Sequence, residues 1–290
     1  MRNLKGLFIF ISIAGILGII WKSSSVILFS DKQIAPIVEV VKSPFYYLFD
    51  NEEVLEETGK AYDSSSPYWW LNSGALFHVS DGVGKTVFGG ELPKYSKWRL
   101  AYLVSNPIDT DRGYHPQNIF RLITRSKWQN FQQEIYFKIN KLNISKSINR
   151  NASNGILLFD RYQDGNNFYY AGIRVDGAAV IKKKINRTYY TLAHESFYKS
   201  NMQYDSDTYP NLIPSQKWIG LRSEIINNPD DTVSIKLFID EDKTGNWILA
   251  LEAKDDGKTY GGKAILNEGY AGIRTDFIDI EFDDYKILKL

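Results

Sequence analysis

Two seven-residue stretches, one hundred positions apart, constrain this chain more than any other feature: Tyr170-Ala171-Gly172-Ile173-Arg174-Val175-Asp176 and Tyr270-Ala271-Gly272-Ile273-Arg274-Thr275-Asp276. A shorter echo, Gly220-Leu221-Arg222, lies between them. Successive side chains of an extended backbone face opposite ways, so Ile173, Leu221 and Ile273 point to one side and the glycines and arginines to the other. Glycine inside a strand marks a bulge or a place where something approaches the backbone closely. If the three strands share one sheet, Arg174, Arg222 and Arg274 line its second face, which is then the expected working surface. The alternative is that each guanidinium is matched to a nearby carboxylate, Asp176, Glu224 or Asp276, and serves solubility alone.

The same alternation runs through the chain beyond Pro67. Strands are expected over 120–124, 132–139, 156–162, 169–175, 178–184, 188–193, 218–226, 233–240, 247–253, 269–275 and 278–288. Turn signals separate them, among them Asp164-Gly165-Asn166, Asp176-Gly177, Asn228-Pro229-Asp230 and Lys243-Thr244-Gly245. Short strands every 8 to 12 residues or so, with such turns, indicate an all-β sandwich or jelly roll. No long amphipathic helix interrupts this half, which argues against an α/β fold.

The N-terminus reads differently. Arg2 and Lys5 precede an apolar run from Gly6 to Trp21, and Lys22 follows it. Sixteen residues of helix span about 24 Å, slightly short of a hydrocarbon core of about 30 Å. Lys5 and Lys22 can snorkel to close the gap. Residues 1–22 are therefore expected to form an N-terminal transmembrane anchor or signal segment. Residues 23–66 are expected to form a juxtamembrane helix and linker, and 67–290 the sandwich. The basic N-terminus favours placing the sandwich on the extracytoplasmic side, at the cell surface or in the periplasm.

Composition removes several functions. A net charge of +1 supplies no general attraction to nucleic acid, and none is expected as a partner. Cysteine is absent, so disulfides, thiolate metal sites and a cysteine nucleophile are excluded together. Gly84-Lys85-Thr86 lacks the first glycine of a phosphate-binding loop, because Val79 stands there. The three histidines, His78, His115 and His194, form no zinc-protease pair. By contrast, 19 tyrosines and 7 tryptophans supply flat amphipathic rings that suit sugar stacking.

Two carbohydrate-active patterns are present only in fragments. On Phe277-Ile278-Asp279-Ile280-Glu281 the nucleophile position of a jelly-roll glucanase strand holds Phe277, so that strand cannot carry out retaining hydrolysis. Arg222-Ser223-Glu224 and Tyr136-Phe137-Lys138 resemble short elements of jelly-roll alginate lyases, in reversed order. An enzymatic reading would use Glu224 and Tyr162 as catalytic groups, with Arg222 and Arg174 neutralising a uronate. Candidate calcium ligands lie in Asp109-Thr110-Asp111-Arg112-Gly113, Asp240-Glu241-Asp242-Lys243-Thr244-Gly245 and Asp283-Asp284.

Several runs carry a family resemblance: 131–139, Asn154-Gly155-Ile156-Leu157-Leu158-Phe159, Asp164-Gly165-Asn166-Asn167-Phe168-Tyr169, Trp218-Ile219-Gly220-Leu221-Arg222, Gly269-Tyr270-Ala271-Gly272-Ile273-Arg274 and Phe282-Asp283-Asp284-Tyr285-Lys286-Ile287. Together they resemble the concanavalin A-like lectin/glucanase superfamily over about residues 117–290. Within it they are most similar to laminin-G-like jelly rolls and to domains of the 3-keto-disaccharide hydrolase type. The resemblance implies a two-sheet antiparallel jelly-roll sandwich that binds glycans on a concave face or rim. It also implies a structural calcium ion, with Asp283 and Asp284 at the position where related jelly rolls supply a metal ligand. The sequence is thus read as a membrane-tethered, lectin-like domain for a polysaccharide, with Arg174, Arg222, Arg274, Tyr170, Trp218 and Tyr270 as ligand contacts. A glycoside hydrolase or polysaccharide lyase on the same scaffold is the alternative.

Overall fold

Sixteen strands and one α-helix make up the computed structural model, which describes residues 42–86 and 90–290. In chain order they are β1 (Phe45–Tyr47), β2 (Glu53–Glu56), β3 (Trp69–Ser73), β4 (Leu76–Ser80), β5 (Val83–Lys85), helix α1 (Lys97–Ser105), β6 (Ile119–Trp128), β7 (Phe131–Leu142) and β8 (Gly155–Asp164). Then follow β9 (Asn167–Arg174), β10 (Ala178–Ile185), β11 (Thr188–Ser196), β12 (Trp218–Asn227), β13 (Val233–Glu241), β14 (Ile248–Asp255), β15 (Gly269–Asp276) and β16 (Ile278–Lys289).

The strands form two antiparallel sheets. One has nine strands in the order β14-β13-β12-β7-β16-β5-β4-β2, with β1 also paired to β16. The other has seven, in the order β11-β10-β9-β8-β15-β6-β3. Alternation decides which side chains lie between them. Tyr169, Ala171 and Ile173 of β9 and Ala271 and Ile273 of β15 face inward. They meet Phe131, Ile135 and Phe137 of β7 and Ile219, Leu221 and Ile225 of β12 in one continuous core. Each such aliphatic or aromatic group stabilises the fold by roughly 1.5–3 kcal/mol relative to exposure. The expected two-sheet antiparallel sandwich is therefore present, and the strands read from alternation are all found.

Several polar groups are buried in the core, Asp160 and the Lys183–Asp255 pair among them. Asp160 of β8 lies wholly between the sheets, where Gln133 Nε2 and Ser223 Oγ donate to its Oδ1 at 2.8 Å each. Tyr285 Oη in turn donates to Gln133 Oε1. Near the open edge, Lys183 and Asp255 form an ion pair of 2.8 Å with no exposure on either side chain. The Lys183 ammonium also donates to the carbonyls of Gly262 and Lys263, which fastens the 256–268 loop to the sheet.

Two expectations change. Residues 42–66 are not a helix and linker: β1 and β2 join the nine-stranded sheet, and Phe45 and Phe49 pack with Tyr68, Trp69 and Phe77. The aromatic run 45–49 finds a better partner in the last strand of the sandwich than a lone helix could offer, so the folded domain starts well before Pro67. The second change is α1, whose Tyr102 is buried and donates to Glu57. The expected anchor, residues 1–22, lies outside the described residues. Among the described residues no helix is long and apolar enough to cross a membrane.

Candidate functional site

The duplicated segments are β9 and β15, and they flank β8 in the seven-stranded sheet. The five residues from tyrosine to arginine face the same ways in both copies. Alanine and isoleucine face the core, while tyrosine, glycine and arginine face out. Each arginine pairs with the aspartate two residues on: Arg174 Nη2 with Asp176 at 2.6 Å, and Arg274 Nε with Asp276 at 3.0 Å.

The glycines report curvature. A Cβ on Gly172 would lie 2.2 Å from the Ile156 carbonyl oxygen, one on Gly155 2.0 Å from that of Ile173, and one on Gly272 2.4 Å from that of Leu122. On the outer face of three adjacent strands, the neighbouring backbone has moved into the space a side chain would need. Arg274 shows the same bending. Its Nη1 reaches the Tyr189 hydroxyl of β11 at 3.4 Å, although β8, β9 and β10 stand between their strands. Four strand spacings make about 19 Å in a flat sheet, more than an arginine and a tyrosine can span end to end. The outer face of this sheet is therefore a concave trough.

One half of the trough is aromatic. Phe159, Tyr162, Phe168 and Tyr170 pack on one another, with Phe168 and Tyr170 each meeting Tyr189 at 6.2 Å. Cations stand among and beside these rings. Arg121 of β6 lies directly opposite Arg274, and Lys182 of β10 directly opposite Tyr170. Lys184 sits over the Tyr189 ring at 4.8 Å. At the Arg174–Asp176 end the trough meets a groove of about 460 Å³ lined by Asp176, Ser196, Tyr198, Lys199, Gln203 and Tyr204.

Charge crowding appears in the titration of these groups. Burial, followed by the charges of Arg174 and Arg274, pushes the Lys182 ammonium below its usual range. Burial raises the Tyr189 phenol, but the charge and hydrogen bond of Arg274, with Lys184, outweigh it and leave the group lowered. For Arg274, burial opposes the charge, and Asp276, Tyr189 and Tyr170 more than restore it, so the guanidinium stays protonated.

The proposed six-residue contact set divides between the two sides of the sandwich. Tyr170, Arg174, Tyr270 and Arg274 share the trough, whereas Trp218 and Arg222 are on β12, in the other sheet. The single three-arginine surface is thus corrected: Gly220-Leu221-Arg222 repeats the alternation but pairs with β7 and β13. Arg222 takes Glu134 at 2.7 Å, not Glu224, and lies 4.1 Å from the Trp247 ring, whose indole fills the space over Gly220. Tyr170 is a second correction, because its ring is only 4% exposed and serves packing rather than stacking. The exposed ring is Tyr189, and Tyr270 is half-buried with Lys127 over it. Lys182 could have been found from the hairpin register about Asp176-Gly177, which places it beside Tyr170, and Tyr189 from the next hairpin, about Asn186-Arg187, which places it beside Lys184.

The candidate catalytic pair is not brought together. Glu224 is on β12 of the nine-stranded sheet, and Tyr162 packs on the aromatic half of the trough, beyond the core. Asp283 and Asp284 both bind the Lys243 ammonium, at 2.5 and 2.8 Å, so a cation of the chain itself holds the carboxylates expected to hold calcium. Asp240 accepts from Tyr136, Thr244 and Gly245. Asp109 and Asp111 accept from Ser147, Asn149, Ser145 and His115 and tie two loops together. No group of three or more acidic or histidine side chains suited to a metal is found among the described residues.

No family model matches the chain, and no curated protein matches it. Solved structures similar to it include a carbohydrate binding module, CBM66, from Bacillus subtilis, at 15% identity over 59% of this chain and 82% of that one, with a TM-score of 0.40. A Bacillus licheniformis beta-glucanase is 10% identical over 86% of this chain and 99% of its own, with a TM-score of 0.43. A beta-1,3-1,4-glucanase (lichenase) derived from a mouse hindgut metagenome is 10% identical over 86% and 100%, with a TM-score of 0.42.

Proposed function

We propose that this protein is a non-catalytic polysaccharide-binding domain that holds its glycan in the trough of the seven-stranded sheet. The observation that carries the reading is the convergence of Arg174, Arg274, Lys182 and Tyr189 on one concave face. A guanidinium has five N–H donors in a fixed fork. Arg274 commits two of its nitrogens, to Asp276 and Tyr189, and Arg174 two, to Asp176 and Ala152, which leaves donors for sugar oxygens. The 43% exposed ring of Tyr189 offers a sugar an apolar face beside them.

The carboxylates support a reading of binding without cleavage. Glycoside hydrolysis needs two carboxyl groups placed about one glycosidic bond. The trough's own pair, Asp176 and Asp276, is engaged by the arginines, and Glu224 is on the far side of the sandwich. The basic start and the apolar run from Gly6 to Trp21 support a membrane tether, with the sandwich on the extracytoplasmic side.

The test is affinity electrophoresis of the full chain, in detergent, through gels containing a panel of polysaccharides. Arg274→Ala and Tyr189→Ala should each weaken retardation at least tenfold, and Trp247→Ala, on the other sheet, should not. Loss confined to Trp247→Ala would move the site to the nine-stranded sheet, and release of reducing or unsaturated ends would replace binding with catalysis.

A further inference from the structure

The two outer faces of the sandwich treat charge in opposite ways. On the nine-stranded sheet, Lys138, Arg222, Lys243 and Lys286 meet Glu281, Glu134, Asp283 and Asp284 within 3.2 Å, four cations against four carboxylates. That cluster is internally neutral. In the trough, of Arg121, Arg174, Lys182, Lys184 and Arg274, only Arg174 and Arg274 make ion pairs among the described residues, with Asp176 and Asp276, which leaves a surplus of three cations without one. The whole chain carries a formal charge of only +1, so this surplus is a local concentration rather than a share of a basic protein.

The arrangement is also unfavourable in the free protein. Arg121 and Arg274 are directly opposite on adjacent strands, a position in which like charges destabilise a sheet. Arg274 has Asp276, but Arg121 makes no ion pair or hydrogen bond among the described residues. Lys182 is half-buried and crowded by Arg174 and Arg274; it makes no ion pair among the described residues, and the charge of Asp176 offsets the crowding only in part. A concave, poorly hydrated wall strengthens such fields and draws in counter-charge. Neutral sugars offer hydroxyls, which satisfy N–H donors but leave the surplus in place.

We infer that the trough selects an anionic polysaccharide, one bearing a carboxylate or sulfate group on its repeating unit, with Arg121 and Lys182 as the residues that confer the selectivity. This rests on the trough being the glycan site. Arg174 and Arg274, already paired, fix the chain through hydroxyl contacts. Arg121 and Lys182 take the acidic groups, and the groove beside Asp176, with Lys199 on its wall, continues the path for a polymer.

Binding of the full chain in detergent to four probes decides the matter: polygalacturonate, fully methyl-esterified pectin, dextran sulfate and dextran. Expected is binding of polygalacturonate, dextran sulfate or both at least tenfold tighter than their neutral counterparts, and the stronger of the two names the acidic group. Affinity should fall at least tenfold between 50 mM and 500 mM salt, as unscreened charge contacts require. Arg121→Gln and Lys182→Gln should each lose about tenfold on the acidic probe, with Lys182→Arg retaining it and all three variants melting near the parent. Equal binding of neutral and acidic probes, or acidic binding indifferent to both glutamine variants, would overturn the inference while the glycan site stands. Binding of no glycan by the parent chain removes the underlying reading as well. Preference for a single-stranded RNA homopolymer over every glycan, abolished by the same variants, would overturn it in favour of nucleic acid.

Discussion

Replacing Gly172 by alanine tests the curvature on which the trough depends. The new Cβ would stand 2.2 Å from the Ile156 carbonyl oxygen and 2.8 Å from Leu157 Cα, where real Cβ atoms essentially never come within 3.0 Å. Both obstacles are backbone of the neighbouring strand, so no rotamer relieves them. β9 must move off β8 by at least the difference between 3.0 and 2.2 Å, which is 0.8 Å. A shift of that size takes a ladder bond from about 2.9 Å to about 3.7 Å, beyond useful hydrogen-bonding distance. Loss of two such bonds at about 1 kcal/mol each, with an overpacking cost of about 2 kcal/mol, gives roughly 4 kcal/mol. In a domain of this size that lowers the melting temperature by roughly 10 °C. Urea denaturation and calorimetry of the variant measure it directly. Gly59 is the comparator, since a Cβ there meets nothing within 4 Å, and Gly59→Ala should be neutral or slightly stabilising. If Gly172→Ala unfolds within about 1 kcal/mol of the parent, the sheet is not bent as described and the trough argument fails with it.

Two further outcomes follow from buried charge. Desolvation raises the Asp160 carboxyl to about 6 from 3.8, so its acid form is favoured by the fold. Its contribution is fully present below the unfolded value near 3.8 and is lost as pH rises through about 6. The rise from 3.8 to about 6 corresponds to about 3 kcal/mol. Asp160→Asn should therefore flatten the stability profile between pH 4 and pH 7 relative to the parent, and parallel profiles in urea would show that the group is not buried as an acid. Lys183→Met leaves Asp255 in the core without its ammonium partner and should cost about 3–5 kcal/mol, while Lys183→Met with Asp255→Leu should recover much of it. A single variant within about 1 kcal/mol of the parent would mean that the pair is open to solvent.

Most of the fold was readable because alternation is a local property. Ile173 and Ile273 had to face one way and Arg174 and Arg274 the other, whatever the strands paired with, and Asp176-Gly177 had to turn. Sheet membership is different in kind. Gly220-Leu221-Arg222 has the same local pattern as the two full copies, yet β12 hydrogen-bonds to β7 and β13, and nothing within the triplet distinguishes one sheet from the other. The full copies do carry a distinguishing sign, in the aspartate two places after the arginine, which Arg222 lacks because Glu224 occupies that position. The same limit explains residues 45–49, the end of the expected juxtamembrane helix, whose apolar spacing suits a helix until β16 of the nine-stranded sheet is available to pair with it. What the duplicated segment encodes is therefore curvature first: each glycine admits its neighbour's backbone and each arginine is held by its own aspartate. Recognition then falls to residues outside the repeat, Arg121, Lys182 and Tyr189, which curvature brings over the two copies from strands on either side.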